Sequence, residues 1–483
     1  MKKSAMRALC AMAAFALIAA ACGDGEEPAT DDAALQQAQA EAQAAQEEAA
    51  AAQAQADTAR AEADMAAAEA DAAAEEAAAA EAELAAAMAA AESDQGVDPS
   101  VVADLEQQLE EAQAAAAEAE AEAIEAAAAA AAAEEAMASA EAMSLAGVCP
   151  DPIVIQTDWF PESEHGAMYQ MVGADYVIDA DNQTTTGSLM AGGVDTGVDI
   201  QVRAGGPAIG FASGSAQMYV DTDITLAYVS MDEAVILRAD TPTLSVVAPL
   251  EKNPQIIQWD PEYYPEIQSI ADIGEAGILV NVFAGGTFID VFVNEGVLSA
   301  DQIDPSYDGS PSRFITEGGA IAQQGFASES PYSYENVYEE WAKPIAFELI
   351  HDAGLRIYSQ TLAIRPAVLE ELRPCLERFV PIVQQSVIDF ADDPARANAI
   401  IVDAVETINS FWQYPPALAE FSVEAQIELG LVGNGPDDTV GNMDEDRIAE
   451  VIAKIIAAGF DVDTSLNPSD IVTNEFIDES IGF

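Results

Sequence analysis

The stretch Ile153–Met171, IVIQTDWFPESEHGAMYQM, passes from an apolar run to a polar, aromatic loop and then to a helical pattern. Its first three residues, Ile153–Ile155, are β-branched and typical of a strand buried in a parallel sheet. A turn at Pro161 ends the strand, and a helix is predicted to begin near Ser163. Ligands of open α/β sheets bind at the carboxyl ends of strands, against helix N-termini. We therefore expect four side chains to face a binding crevice: Trp159, Glu162, His165 and Tyr169.

Asp158, Trp159, Pro161, His165 and Tyr169 together resemble the D-W-x-P-N-x-x-H-x-G-x-Y pattern of the thiamine-pyrimidine-precursor branch of periplasmic solute-binding proteins. These are relatives of the nitrate, sulfonate and taurine binders. The sequence departs from the pattern twice, with Glu162 in place of the usual Asn and Ala167 in place of the usual Gly.

The resemblance covers residues 149–483 and implies a two-lobed α/β domain of the type II, Venus-flytrap kind. It implies that lobe one comprises residues 149–238 and 355–483 and that lobe two comprises residues 239–354. The residues themselves also favour a doubly wound α/β architecture, because short β-branched runs alternate with helical stretches. Strands are predicted at residues 176–179, 198–202, 224–229, 234–237, 244–247, 278–283 and 356–364, and amphipathic helices at 370–387 and 394–412.

The charge is extreme: 86 acidic residues face 16 Lys plus Arg, for a net charge of -70. Such a chain lacks the basic patches that nucleic acids and anionic membrane surfaces require. A surface of this kind stays hydrated in a salty environment, where counterions screen its self-repulsion. The charge therefore describes habitat and solubility rather than chemistry.

Residues 1–21 combine Lys2, Lys3 and Arg7 with an apolar run, the pattern of a secretory signal peptide. The run ends in LIAAACG and is similar to a bacterial lipobox, which predicts a lipid on Cys22 that anchors the exported protein to the outer face of the cell membrane. Ordinary cleavage before a free Cys22 is the alternative. Residues 22–31 form a polar linker.

Residues 32–148 are dominated by Ala, Glu, Gln and Asp and predict two long helices broken near Gly96. Leu84 with Met88, and Leu105 with Leu109, are spaced to pack near the break. Elsewhere any seam must be Ala against Ala. We interpret this segment as a hairpin or coiled-coil stalk that can self-associate.

Two Gly-rich loops are candidate ligand contacts, one in each predicted lobe. Gly205 and Gly206 follow a strand in lobe one, and Gly285 follows a strand in lobe two. Glycine allows backbone to approach a small molecule closely, and Thr287 is a plausible helix N-cap. Simple chain reversal is the alternative for each loop.

A third candidate is Glu329, before Pro331 in a segment similar to the family's acidic loop in lobe two. Its carboxylate could accept hydrogen bonds from an amino-heterocycle, although an exposed loop carboxylate is the plain alternative. His351 is interpreted as structural. The chain has two His and no HExxH or Cys-pair spacing, so we expect no metal and no cofactor.

Cys149 and Cys375 are the two remaining cysteines of the mature chain, and an even pair in an exported protein favours a disulfide. Neither lies in a pattern typical of a nucleophile. Together with the absence of P-loop, GxGxxG and GxSxG motifs in the globular part, this predicts a protein that is not an enzyme.

The sequence thus predicts an extracytoplasmic solute-binding lipoprotein of an ABC importer, which would work with permease and ATPase subunits. Its ligand is expected to be a small heterocycle similar to a thiamine-pyrimidine precursor. The alternative is a structural or adhesive envelope lipoprotein with a degenerate binding domain. An enzyme acting on a pyrimidine precursor is disfavoured for want of a complete catalytic constellation.

Overall fold

The structure is a computed structural model that describes residues 32–92 and 98–483, with side chains described for residues 53–92, 98–134 and 143–483. The predicted signal peptide, Cys22 and the linker lie outside the described residues. The chain divides near residue 137 into a helical unit and a larger α/β unit.

The helical unit contains α1 (Asp32–Glu92) and α2 (Pro99–Met143). Where side chains are described, the less exposed residues of each helix recur at alternating intervals of three and four, a heptad spacing. We call the alanines at these positions the alanine seam: Ala56, Ala59, Ala63, Ala66, Ala70, Ala73, Ala77, Ala80, Ala87 and Ala90 in α1, and Ala112, Ala116, Ala119, Ala123, Ala126, Ala130 and Ala133 in α2.

Larger side chains extend the alanine seam towards the break, as predicted for Leu84, Leu105 and Leu109, which are half-buried. Met88 does not join them, because it falls between seam positions and is 49% exposed. Arg60 Nε donates to Glu134 Oε1 at 2.9 Å, so this ion pair joins α1 to α2 in an antiparallel arrangement.

Lobe one is built on a seven-stranded mixed sheet with the order β2-β3-β4-β1-β5-β12-β6. The central strand β1 (Ile153–Gln156) pairs in parallel with both neighbours, so the loops that follow these three strands emerge at one edge. The strands are β2 (Val177–Asp179), β3 (Thr184–Ala191), β4 (Val194–Arg203), β5 (Leu226–Val229), β6 (Leu244–Val247) and β12 (Thr361–Ile364).

Lobe two is built on a five-stranded sheet with the order β11-β7-β10-β8-β9. Its strands are β7 (Gln255–Trp259), β8 (Val280–Asn281), β9 (Ile303–Asp304), β10 (Ala322–Phe326) and β11 (Ala346–Leu349). The chain crosses between the sheets twice, over residues 248–254 and 350–360. We refer to the second of these as the returning segment.

Helices cover both sheets: α3 (Gly166–Gln170), α4 (Gly214–Val220), α5 (Met231–Ile236), α6 (Ile270–Ala276), α7 (Thr287–Glu295), α8 (Ser312–Thr316) and α9 (Ser330–Asn336). Four longer helices follow β12: α10 (Leu369–Asp392), α11 (Ala395–Ile408), α12 (Pro416–Glu428) and α13 (Glu445–Ala457). Much of the lobe-one core packs fully buried side chains of β1 and β5 against Phe379 and Val383 of α10.

The predicted fold class, two α/β lobes behind a long Ala-rich helical pair, is confirmed. Two details differ. The strand β6 lies in the first sheet, so the chain leaves lobe one after residue 247 rather than at the predicted residue 238. Residues 234–237 were predicted as a strand but lie at the end of α5, whose first turn carries the helix-favouring acids Asp232 and Glu233.

Candidate functional site

Asp158 lies two residues beyond the carboxyl end of β1, at the edge where the parallel strands end. It accepts a hydrogen bond from His165 Nε2 at 2.6 Å. Gln360 Nε2, at the end of the returning segment, donates to both Asp158 carboxylate oxygens at 3.2 and 3.3 Å. His165 and Gln360 are buried, whereas the Asp158 side chain is 38% exposed. This carboxylate is therefore held in place by two buried groups while one side of it stays accessible.

Glu162 and Glu164 form a buried carboxyl pair just after Asp158, on the loop and short 3-10 helix that precede α3. Burial, the neighbouring Glu164 charge and the Asp158 charge all raise the pKa of Glu162 well above its ordinary value. Glu162 therefore holds a proton and donates it in a hydrogen bond to Glu164, whose own pKa burial also raises. The two carboxyls therefore share a hydrogen-bonded proton.

A chain of hydrogen bonds links this carboxyl pair to lobe two. Ser328 Oγ donates to Glu164 Oε1, and the Ser328 carbonyl accepts from Ser422 Oγ in α12. Tyr414 OH donates to Ser422 Oγ at 2.8 Å and accepts from the Ser163 backbone N–H at 3.0 Å. Residues from the first loop, the C-terminal segment and lobe two thus share one buried polar network.

Trp159 lies at the centre of an aromatic group contributed by both lobes. Its ring centroid is 6.1 Å from Phe211 and 6.1 Å from Trp412, both in lobe one, and 6.4 Å from Phe283, in lobe two. Phe160 stacks on Trp412 at 6.3 Å. We call Trp159, Phe211, Phe283 and Trp412 the interlobe aromatic group.

The Gly205-Gly206 loop shapes this region by close backbone contact. A Cβ on Gly205 would lie 2.1 Å from the Thr157 carbonyl oxygen, and one on Gly206 would lie 2.5 Å from the Trp159 ring. Gly206 also has a φ of +56°, in the left-handed region that favours glycine. These close contacts with Thr157 and Trp159 explain why the loop carries glycines, whether or not it touches a ligand.

The structure brings His165 and Trp159 into one site but places Tyr169 differently from the prediction. Tyr169 is fully buried in the lobe-one core, and its hydroxyl is hydrogen-bonded to Thr185. It supports the site from below instead of facing a crevice, because α3 turns this side chain towards the sheet.

In lobe two, the predicted residues Gly285 and Thr287 lie at the start of α7. Thr287 is the first helical residue, and the N-cap is Gly286, so the predicted capping role of Thr287 is wrong. Gly285 has a φ of +81° with open space around it. In this loop it is Phe283, two residues before Gly285, that contacts lobe one. The sequence prediction missed it, because an aromatic residue at the end of a strand is typical of the core.

Glu329 is partly buried in lobe two, rather than being a plain exposed loop carboxylate. It accepts hydrogen bonds from Ser330 Oγ at 2.9 Å and from Tyr338 OH at 3.2 Å, and burial raises its pKa. Its charge is near enough to raise the pKa of Glu162 across the interlobe region.

Several buried polar atoms of the site find no hydrogen-bond partner among the described residues: His165 Nδ1, Tyr228 OH and Gln360 Oε1. The Tyr228 ring packs edge-on against His165, with centroids 4.8 Å apart. His165 and Gln360 each contact Asp158 through another atom, so unsatisfied hydrogen-bonding capacity is present in both residues that hold this carboxylate.

Three further features lie away from this region. Cys149 and Cys375 form a disulfide that joins the segment before β1 to α10. A cavity of about 770 Å³ opens on lobe one beside α10 and holds none of the predicted ligand-binding residues. His351 follows β11, and burial lowers its pKa to about 3.

Within residues 32–92 and 98–483, no group of three or more His, Cys, Asp and Glu side chains is arranged to hold a metal ion. Across the same described part of the chain, no helix combines the length and apolarity needed to cross a bilayer.

No protein-family model and no curated protein matches this sequence. Solved structures do match. One from Bordetella bronchiseptica RB50 is 15% identical with a TM-score of 0.43, covering 68% of this chain and 96% of that chain. The alkanesulfonate-binding protein SsuA from Xanthomonas axonopodis pv. citri, bound to MOPS, is 13% identical with a TM-score of 0.36, covering 57% of this chain and 85% of that one.

A third is a Candida albicans gene product described as having the generic periplasmic-binding-protein fold. It is 12% identical with a TM-score of 0.39, covering 68% of this chain and 98% of that chain. What each of these proteins binds is a property of that protein.

Proposed function

We propose that this chain is an extracytoplasmic solute-binding protein that captures a small molecule between its two lobes and delivers it to an ABC importer. Supporting this are two contacts between the lobes on the loop that carries Asp158: Phe283 contacts Trp159, and Ser328 contacts Glu164. A site shared by two lobes couples ligand binding to closure, because a ligand that contacts both lobes stabilises the closed state.

The ligand class that fits best is a flat, nitrogen-containing heterocycle, such as a thiamine-pyrimidine precursor. Ring faces of the interlobe aromatic group suit a planar molecule, and Asp158 supplies acceptors for its N–H groups. In this proposal a lipid on Cys22 anchors the protein outside the cell membrane and residues 32–148 act as a spacer.

The direct test is ligand screening on the mature full-length chain. Native mass spectrometry would identify a co-purifying molecule, and thermal-shift screening with pyrimidines, flavins, sulfonates and amino-heterocycles would find others. A ligand at 100 times its Kd should stabilise the domain by about 2.7 kcal/mol.

Trp159→Ala should abolish that shift, because it removes the centre of the interlobe aromatic group. Trp341→Ala is the matched control, since Trp341 packs on Phe314 and Tyr334 within lobe two. A protein that carries no ligand and responds to no compound would contradict the proposal and favour a structural envelope role.

A further inference from the structure

We propose that the ligand of the interlobe site is a small organic cation whose N–H donors are bound by Asp158 and the Glu162–Glu164 pair. The inference rests on the proposed function and adds to it the sign of the ligand charge. It follows from the balance of charge and of hydrogen-bonding groups in the site.

The first observation is a group of carboxyls, drawn from both lobes, that pairs with no Lys or Arg among the described residues. Asp158, Glu162 and Glu164 come from lobe one, and Glu329 comes from lobe two. Among the ion pairs of the described residues, none joins a Lys or Arg to any of these four; Asp158 pairs only with His165. Buried charge is normally paired, so a partner cation is expected here.

The second observation is independent of charge. Gln360 is 4% exposed, and its Nε2 contacts both Asp158 oxygens. The other end of the same amide, Oε1, is an acceptor without a partner among the described residues. Because the two ends of an amide are close together, this buried acceptor lies beside the Asp158 carboxylate. Adjacent acceptors of this kind require a donor, N–H or O–H, rather than another acceptor, and of the two only an N–H donor can also carry a positive charge.

The third observation is the surface that would enclose the ligand. Trp159 and Trp412 present indole rings, the strongest cation–π acceptors among side chains, and Phe283 adds a ring from lobe two. Aromatic faces together with a carboxylate suit a delocalised cation that is flat and bears N–H groups, such as an amidinium or a protonated or alkylated aminopyrimidine.

A sulfonate or another anion fits poorly. It would be buried beside carboxyl groups, with like-charge repulsion in surroundings of low dielectric, and it would leave Gln360 Oε1 unpaired. A neutral heterocycle would satisfy the acceptors but add no positive charge to a group of carboxyls that His165 alone faces as an ion-pair partner among the described residues.

The test compares ligands of one shape and different charge on the mature full-length protein. The probes are 4-aminopyrimidine, its N-methylated cation, benzamidine, benzamide and benzenesulfonate, with binding measured by isothermal titration calorimetry at pH 8. Sodium chloride at 0.5 M shortens the Debye length to about 4 Å, which screens the attraction of the acidic surface for any cation.

We expect each cation to bind at least about tenfold more tightly than its neutral counterpart, a difference of about 1.4 kcal/mol, and benzenesulfonate not to bind. Equal affinity for charged and neutral probes, or tighter binding of the sulfonate, would overturn the inference while leaving the solute-binding function standing. Absence of binding by all probes and by the screened library would overturn both. A response to Ca²⁺ or Mg²⁺ alone would overturn the organic class of ligand.

A variant then locates the charge. Glu164→Gln should reduce the preference for cations over neutral probes by about tenfold. Glu377→Gln, which changes an exposed acid in α10, should leave the preference unchanged. An unaltered preference in folded Glu164→Gln would show that the pair does not bind the cation; if this variant does not fold, the probe comparison on the unaltered protein decides alone.

Discussion

The helical unit and the interlobe site both concentrate acidic residues, but they place them in opposite surroundings. Where side chains of α1 and α2 are described, at residues 53–92 and 99–134, the acids are exposed, and only alanines and a few larger side chains form the seam. In the site, Glu162 and Glu164 are buried beside aromatic rings, and their pKa values rise. The comparison shows that an exposed carboxyl serves as a hydrated surface charge, whereas burial of the same residue type raises its pKa.

The largest effect should come from removing the disulfide of the α/β unit. The helical segments have no such bond, because residues 32–92 and 98–148 contain no Cys. Cys149→Ser with Cys375→Ser opens a loop with a sequence separation of 226 residues. We expect the free energy of unfolding of the α/β unit to fall by about 2–5 kcal/mol, measured by denaturant titration under oxidising conditions.

Reductant should lower the stability of the unaltered protein and leave the double variant unchanged, while the helical signal of the stalk stays the same in both. A double variant as stable as the unaltered protein would mean that packing alone holds α10 to the start of lobe one.

The contrast between exposed and buried acids can be measured at Glu233, which accepts a hydrogen bond from Ser215 N at 2.9 Å. Burial raises its pKa from 4.5 to about 7. Because the folded-state pKa is the higher one, its contribution is fully present below pH 4.5 and is lost as pH rises towards 7. Glu233→Gln should remove up to about 3 kcal/mol of this pH dependence.

The measurement is the free energy of unfolding between pH 4.5 and 8 for the unaltered chain and the variant. Glu377→Gln, an exposed acid, supplies the control and should reproduce the unaltered curve. Parallel curves for the unaltered chain and Glu233→Gln would show that this carboxyl titrates as freely as those of the stalk.

Close packing of backbone against a ring also distinguishes the site. A comparison of two glycines separates the effect of this packing from the effect of backbone strain. Gly206 and Gly210 both have positive φ, at +56° and +65°, but only a Cβ on Gly206 would meet the Trp159 ring. Gly210→Ala should destabilise by about 1 kcal/mol, and Gly206→Ala by roughly 1–3 kcal/mol more.

Trp159 fluorescence and ligand affinity should change only in Gly206→Ala. Equal effects of the two substitutions on both measurements would show that the loop does not seat the indole ring.

The smallest effect is expected in the stalk, where the alanine seam predicts a directional response. Ala77→Glu places a carboxylate in the seam, and Ala78→Glu places one on the exposed face next to it. The first should lower the stability of the helical unit by about 1 kcal/mol and the second by much less. Circular dichroism during thermal unfolding in 1 M salt measures this, and equal melting curves would argue against the seam.

The sequence predicted the architecture because its signals are local and repeated. The uninterrupted Ala-rich runs predict long helices, and Ile153–Ile155 with the loop after it predicts the central parallel strand and its site. Residues 234–237, predicted as a strand but found at the end of a helix, show the limit of local prediction. A short apolar run fits either structure until its neighbours in space are known.

The candidate site was predicted less completely, since its partners are distant in sequence. Asp158 was named only as part of the family resemblance and not among the residues expected to face the crevice. Its partner Gln360 lies 202 residues away, and Ser328 is 164 residues from Glu164. Nothing local marks a Gln before a strand or a Ser in a loop as part of a buried network. Tyr169 was expected in the crevice because it follows the strand-end loop in sequence. The direction of its side chain depends instead on how α3 packs on the sheet.

The link between Cys149 and Cys375 also determines how tension passes through the molecule. A stretching force between the chain before Cys149 and the helices from α10 onward is transmitted through the disulfide. It bypasses residues 150–374, which contain both crossings and all of lobe two. A stretching force between these two parts of the chain therefore does not load the two crossings or lobe two.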